Sequence, residues 1–190
     1  MIDQSQQKSI NIETRHLLLR PFQMDDLDLI EKVYGDEEIL RYTPFDIMTR
    51  EQAAEHLKKI LCEWELVPIR SLEFAMIQKE SREKIGRCHI LIDPETDTGM
   101  IGWLLRKAYR GNHYARESGE ALIQFCFDDL HLHRVNAVCN PENIASCRTL
   151  EQLGMRQEAL LRQKCRYVKK GIVSWEDELE YAILSSERIR

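Results

Sequence analysis

The sequence lacks any long apolar run. Nothing in it approaches the ~18 consecutive apolar residues of a membrane span, and the opening MIDQSQQKSI has no apolar stretch of secretion-signal length, so the expectation is a cytoplasmic protein. Glycine (8 residues) and proline (5) are few, and no repeat or Gly/Ser-rich linker interrupts the chain, which argues against collagen-like, low-complexity or disordered character. There is no excess of positive charge either. Lys plus Arg number 27 against 32 Asp plus Glu, a net charge of -5, so a generic grip on nucleic acid or on anionic lipid is not expected. The six cysteines are spread singly with no CxxC pair, and no His cluster has metal-ligand spacing. No metal is expected, and the thiols read as reduced, small, semi-apolar side chains. What is present is ordinary for a globular chain: 190 residues, 43% apolar and 31% charged, which suffices for one unit with a substantial core. Residues 1–10 read as a loose polar arm and residues 11–190 as a single domain.

Periodicity divides that domain into elements. His16 to Arg20 is a short apolar run stopped by Pro21, a first strand. From Met24 to Tyr34 the apolar residues recur at helical steps, with Asp25 and Asp26 in the first turn, where the helix dipole favours negative charge. A second helix follows Thr49, which can cap it together with Gln52, and carries Ala53, Leu57, Ile60, Leu61 and Trp64 on one stripe. The period then changes to that of a sheet: Leu72–Ile77, Ile85–Ile92 and Met100–Leu105 form an antiparallel meander with a turn at residues 93–97. The rest alternates, helix 115–130, strand 134–139, helix 143–153, then strands 155–168 and 173–184 joined at Lys169-Lys170-Gly171. The fold class expected is α/β, a mixed, mostly antiparallel central sheet with helices on both faces.

Two segments carry chemistry. In the first, the strand ending at Leu105 feeds a basic, Gly-containing loop, residues 106–115, which opens the helix bearing Ala115, Gly119, Leu122, Ile123 and Cys126. Unpaired N–H groups of a first helical turn, the positive end of its dipole and the charge of Arg110 together make a site for a phosphate group. Gly102, inside the strand, marks either a bulge or a close backbone approach. The second segment runs from Asn140 to Met155. Asn143 can cap its helix, Gly154 suits the left-handed position that ends it, and Leu150, Leu153 and Met155 read as core. Asn143 and Ser146, three apart, share one face of the first turn.

Chain order and these motifs together resemble the GNAT superfamily of acetyl-CoA-dependent N-acetyltransferases, and within it the branch that acetylates N-termini of ribosomal proteins. The likeness runs from Thr14-Arg15-His16-Leu17-Leu18-Leu19-Arg20-Pro21-Phe22 to Trp175-Glu176-Asp177-Glu178-Leu179-Glu180-Tyr181-Ala182. The family's pyrophosphate loop, R/Q-x-x-G-x-G/A, corresponds to Arg110-Gly111-Asn112-His113-Tyr114-Ala115. His113 stands where the family prefers glycine; either the backbone there accepts a side chain whose ring points to solvent, or the ring meets the diphosphate.

The resemblance implies a sheet splayed between strands 100–105 and 134–139, with acetyl-CoA lying in the gap. It assigns coenzyme contacts to Leu104, Leu105, residues 110–115, Asn143 and Ser146. Direct attack by an amine on the thioester requires an oxyanion donor, placed at the backbone of Trp103 or Leu104, and an acid for the leaving thiol. Where many members have a tyrosine, seven residues after the motif asparagine, this chain has Leu150, so Ser146 is the candidate acid. The base stays open among Asp46, Glu73, Glu176, Asp177 and a water relay. Trp64 and Phe125 read as core, Trp175 as core or acceptor-site wall, and His131, His133 and Lys169-Lys170 as solvated. The acceptor implied is an amine, first a peptide or protein N-terminus such as that of a ribosomal protein, second a small amine of antibiotic or polyamine type. No nucleic acid or membrane partner is expected, and monomer and homodimer both fit. Two rival readings remain: a non-catalytic CoA-binding or interaction module, and a redox-responsive protein using Cys139 and Cys147.

Overall fold

Leu17 and Leu19 alternate with half-buried Leu18 and Arg20, as a strand covered chiefly on one face requires, and both are fully buried. The computed structural model describes residues 10–188, so the expected arm over residues 1–10 lies outside the described residues except for Ile10. The strands are β1 (Ile12–Glu13), β2 (Leu17–Pro21), β3 (Ser71–Gln78), β4 (Lys84–Asp93), β5 (Thr98–Leu105), β6 (Arg134–Cys139), β7 (Arg156–Lys169) and β8 (Ile172–Leu184). They form one eight-stranded sheet in the order β1-β2-β3-β4-β5-β6-β8-β7. Only β5 and β6 run parallel. This is the α/β fold the periodicity predicts, meander included.

Helices cover both faces. They are α1 (Leu27–Tyr34), α2 (Glu37–Leu40), α3 (Arg50–Glu63), α4 (Tyr114–Asp128) and α5 (Ile144–Gln152). The register places Phe74 and Gly99 on one face, against Phe125 and Cys126 of α4, and Arg87 on the other, against Tyr34 of α1. Trp64 and Phe125 are core as expected, 5% and 8% exposed and each edge-on to Phe74. The capping box at α3 forms as read: Thr49 accepts from the Gln52 amide while Gln52 accepts from the Thr49 amide at 2.8 Å. Helix α2, one turn long, is not evident in the periodicity; it exists because Asp36 caps the amides of Glu38 and Ile39.

One buried charge ties the first helical layer to the sheet. The Asp26 carboxylate, fully buried, accepts from both Arg20 guanidinium nitrogens at 2.6 and 2.8 Å and from the Gln23 amide, and Lys84 of β4 lies 3.0 Å away. Burial alone would raise its pKa; the bonds from Arg20, Gln23 and Lys84 outweigh it and hold the group below the ordinary carboxylate value. Its contribution to stability is therefore complete above about pH 4, the unfolded value, and is lost as pH falls through the lower folded value. Asp26→Asn strands two cations and is expected to cost about 3 kcal/mol at pH 7. Urea unfolding of the two proteins checks this, with the difference shrinking at acidic pH.

Candidate active site

The β5–β6 ladder is short. It pairs Thr98, Gly99 and Met100 with Arg134, Val135 and Asn136 and then stops, while β4 stays paired to β5 as far as Leu105 and β8 to β6 as far as Cys139. The sheet therefore opens into a gap beyond Met100. The Arg106 amide bonds the Ile85 carbonyl across to β4 at 2.9 Å. Alternation along an antiparallel ladder then turns the Leu104 amide to β4 as well and leaves those of Trp103 and Leu105 facing the gap. Of the two oxyanion positions considered, the Trp103 amide faces the gap and the Leu104 amide faces β4. Gly102 makes no bulge, since the register is unbroken there; it is a close approach. A Cβ at Gly102 would stand 2.5 Å from the His89 ring, which lies across it.

The loop after β5 forms one turn (Lys107–Tyr109) and reverses through left-handed residues, Gly111 at φ 81° and His113 at φ 62°. The Asn112 side-chain amide donates to the Tyr109 and Arg110 carbonyls, so its side chain folds back on the loop. Among the described residues the amides of residues 111–116 donate no hydrogen bond, which is the ordinary state of a helix start awaiting acceptors. Arg110 lies 3.3 Å and Lys107 2.6 Å from the Glu38 carboxylate of α2.

Helix α5 starts at the other side of the gap. Asn143 caps it, accepting from the Ser146 amide at 3.3 Å, and Gly154 ends it at φ 77°. Ser146 is half-buried, and its hydroxyl has no partner among the described residues. Leu150 is buried, with no proton to give. The two motif helices meet where a Cβ on Gly119 of α4 would lie 2.6 Å from Leu153, so glycine permits the approach that brings both helix starts to one opening. Between them lies a cleft of about 740 Å³ lined by Trp103, Leu104, Leu105, Arg110, Gly111, His113, Tyr114, Ala115, Asn143 and Ser146. The coenzyme residues read from the sequence line that cleft, with Asn112 between them in the loop whose amides are free.

The cleft continues, past Trp103, Asn143 and Ser146, into a second cavity of about 250 Å³. Apolar walls come from Ile39, Phe45, Val138 and Leu150, and polar ones from Arg87, His89, Asp177 and Glu178. Arg87, buried, pairs with Glu73 at 2.6 Å and donates to the Tyr34 hydroxyl at 2.7 Å; it lies 3.0 Å from His89 Nδ1. Burial, aided by that guanidinium, pushes the His89 pKa down to about 3, so the ring is neutral. Of the proposed bases only Asp177 lines this cavity. Glu73 pairs with Arg87, Asp46 accepts from the Lys170 and Ile47 amides, Glu176 accepts from Ser174, and none of the three lines this cavity.

Several expectations fail here for long-range reasons. Lys169 is not simply solvated: its Nζ donates to the Leu40 and Arg41 carbonyls at 2.8 Å, while Lys170 is exposed as expected and pairs at the surface with Glu37 at 2.8 Å. Trp175 is 55% exposed on the hairpin and is neither core nor cavity wall. The sequence reading missed Tyr42, His89, Cys165, Tyr167 and Glu178, all lining the second cavity. Only Glu178 left a trace, a carboxylate in a strand of otherwise core-like pattern. Cys139 and Cys147 do meet, sulfur to sulfur at 3.6 Å, and burial raises the Cys139 pKa.

The family model of the acetyltransferase (GNAT) domain matches residues 16–156. The chain belongs to the GNAT acetyltransferase family. An uncharacterized N-acetyltransferase of Bacillus subtilis, YnaD, is 31% identical over 178 residues, 94% of this chain and 99% of its own. Among solved structures, the ribosomal-protein-S5-alanine acetyltransferase of Vibrio fischeri is 19% identical with a TM-score of 0.79, covering 95% of this chain and 100% of that one. A spermidine N-acetyltransferase of Vibrio cholerae in complex with CoA and spermine is 17% identical with a TM-score of 0.78, covering 92% and 98%. The activity is acetyl-CoA-dependent N-acetyl transfer, which sets aside the non-catalytic module. Two neighbours with different acceptors share this fold, so the fold does not choose the acceptor.

The GNAT co-substrate fits the residues present. Free amides of residues 111–116 and Arg110 form an anion cradle at one end, and the unpaired edge of β5 offers Trp103 and Leu105 amides at the other. No helix among the described residues is long and apolar enough to span a membrane, and no metal cluster occurs among them. The family's glycine at position 113 is explained by the left-handed backbone, which His113 adopts with its side chain exposed. A left-handed non-glycine residue costs ~1–2 kcal/mol, partly offset by the entropy glycine adds to the unfolded chain. His113→Gly is therefore expected to stabilise the protein by about 0.5–1 kcal/mol without weakening its affinity for CoA; thermal unfolding and calorimetry read the two effects.

Proposed function

We propose that the protein acetylates the free amine of a peptide or protein N-terminus within a ternary complex. The observation that carries this reading is the second cavity, which opens beside Trp103 and Ser146 and, at about 250 Å³, admits an amine with its first side chain and leaves the remaining chain outside. The resemblance to the ribosomal-protein branch supports the same class. A small polyamine-like acceptor is the second reading, favoured by the Asp177 and Glu178 carboxylates in that cavity.

The division of labour follows from placement. Acetyl-CoA supplies a thioester whose carbonyl is open to attack. Arg110 and the amides of residues 111–116 hold its diphosphate, drawing Arg110 from its contact with Glu38. Leu104, Leu105, Tyr114 and Ala115 wall the cleft. The Trp103 amide donates to the oxygen that gains charge, in a gap shielded from bulk water by Ile39 and Tyr42. Asn143 fixes the start of α5, and the Ser146 hydroxyl, free of other partners among the described residues, gives its proton to the leaving sulfur.

Acetyl-CoA is expected to release heat on mixing with the protein, and no heat overturns the reading. Ser146→Ala is expected to lower kcat by at least about 10-fold with the acetyl-CoA KM unchanged, and an unchanged kcat removes the acid role.

A further inference from the structure

The second cavity is bordered by an irregularity in the β7–β8 ladder. Opposite Asp177 and Glu178, β7 bulges: the register passes from Leu161↔Glu178 to Cys165↔Glu176, so β7 spends two more residues than β8. Gln163 within it is left-handed, φ 50°, and its amide donates to Asp177 Oδ1 at 2.8 Å. Bulges re-aim side chains, and a strained non-glycine residue persists only where the surroundings over-determine it. Here the bulge brings two groups onto Glu178. Lys164 Nζ lies 2.7 Å from Oε1, and the Cys165 thiol donates to Oε2 at 2.8 Å. Burial, then the contact with Glu178, pushes that thiol up to about 11, so it stays a donor at neutral pH. Glu178 is itself 8% exposed and lines the cavity that also holds Trp103 and Ser146.

We infer that Glu178 is the base that takes the proton from the acceptor, in a subsite shaped for a slender primary ammonium. This rests on the reading of the gap as an acetyl-transfer site and adds the group that reading left open. The facing groups are consistent with it. Lys164 and Cys165 on β7 contact the carboxylate; Tyr167 on β7, Cys139 on β6, and Arg87 and His89 on β4 line the same cavity, with Asp177 and Glu180 on its own strand. Arg87 is neutralised by Glu73 and His89 is uncharged, which leaves Glu178 and Asp177 as the groups able to draw a cation inward. Lys164, half-exposed and shared with Glu180, offsets this only in part. Proton balance is closed. The ammonium gives one proton to Glu178 before attack; as nitrogen bonds to the acetyl carbon and the carbon–sulfur bond breaks, nitrogen loses a second proton. The leaving sulfur takes one up, so one proton reaches solvent overall.

The test is the pH profile of kcat, with ethanolamine, spermidine and a seryl tripeptide as acceptor probes and the acetyl-CoA affinity measured separately by calorimetry. The expected result is that the intact protein acetylates at least one probe and loses kcat on the acid side. Glu178→Gln lowers kcat by about 100-fold and flattens that limb, while Glu178→Asp keeps part of it. Lys164→Ala, which removes the cation from Glu178 Oε1, changes kcat, whereas a purely structural ion pair changes only the unfolding temperature. Acetyl-CoA affinity stays unchanged in all three. Retention of kcat and of the acid limb in Glu178→Gln overturns the inference and leaves the acetyl-transfer reading standing. Binding of acetyl-CoA with no probe acetylated overturns it too, and an absence of acetyl-CoA binding overturns the parent reading instead.

Discussion

Everything functional in this fold depends on a ladder that stops. Strands β5 and β6 share three residue pairs and then separate, though each remains paired on its other side. A strand edge inside a sheet is normally satisfied by its neighbour, and leaving it open exposes backbone donors that water or a ligand must meet. The Trp103 and Leu105 amides are those donors. A co-substrate that runs along this edge gains directional hydrogen bonds from the backbone itself, which no side-chain substitution can delete. The same divergence makes the room in which two reactants can lie end to end.

The gap is useful only because two helices start at its rim. α4 presents unsatisfied amides through residues 111–116 and the positive end of its dipole, and α5 presents its dipole end at the turn where Asn143 caps the Ser146 amide. They are brought together by a contact of the least bulky kind, Gly119 against Leu153. The buried triad of Arg20, Asp26 and Lys84 does the corresponding work for the first layer, fixing α1 against β4. It thereby fixes Tyr34 against Arg87 behind the acceptor cavity. Stability and site geometry thus draw on the same polar links, and a loosened clamp at Asp26 would be felt at His89.

Local physics was legible in the sequence. Caps at Thr49 and Asn143, the meander and the left-handed glycine at 154 all depend on neighbours a few residues apart, and all stand where the pattern put them. Contacts between distant elements were not legible. Nothing in Lys169-Lys170 announces that it will bond carbonyls and a carboxylate of residues 37–41. Nothing near Glu178 announces a bulge 13 residues away by sequence. Gly102 was readable only as an alternative, and the cross-strand His89 ring decided it. Trp175 followed the motif yet faces solvent, because the hairpin extends past the end of β6, so no third strand lies beside its tip half, where Trp175 sits.

The segment from Glu37 to Phe45 connects the two halves of the site. Glu38 reaches the cations of the phosphate loop, Ile39 and Tyr42 line both cavities, and Phe45 lines the second. The segment is in turn held by the β7–β8 hairpin, through Lys169, Lys170 and the Tyr167 hydroxyl on the Tyr42 carbonyl at 2.9 Å. Under the proposed reading, a negative co-substrate at Arg110 competes with Glu38, and the far end of that short helix lines the second cavity. One stretch of chain then meets charge at one end and the acceptor at the other. Its position is set by bonds to the hairpin that carries Cys165 and Glu178, so in that reading the width of the second cavity and the grip on the diphosphate are not independent quantities.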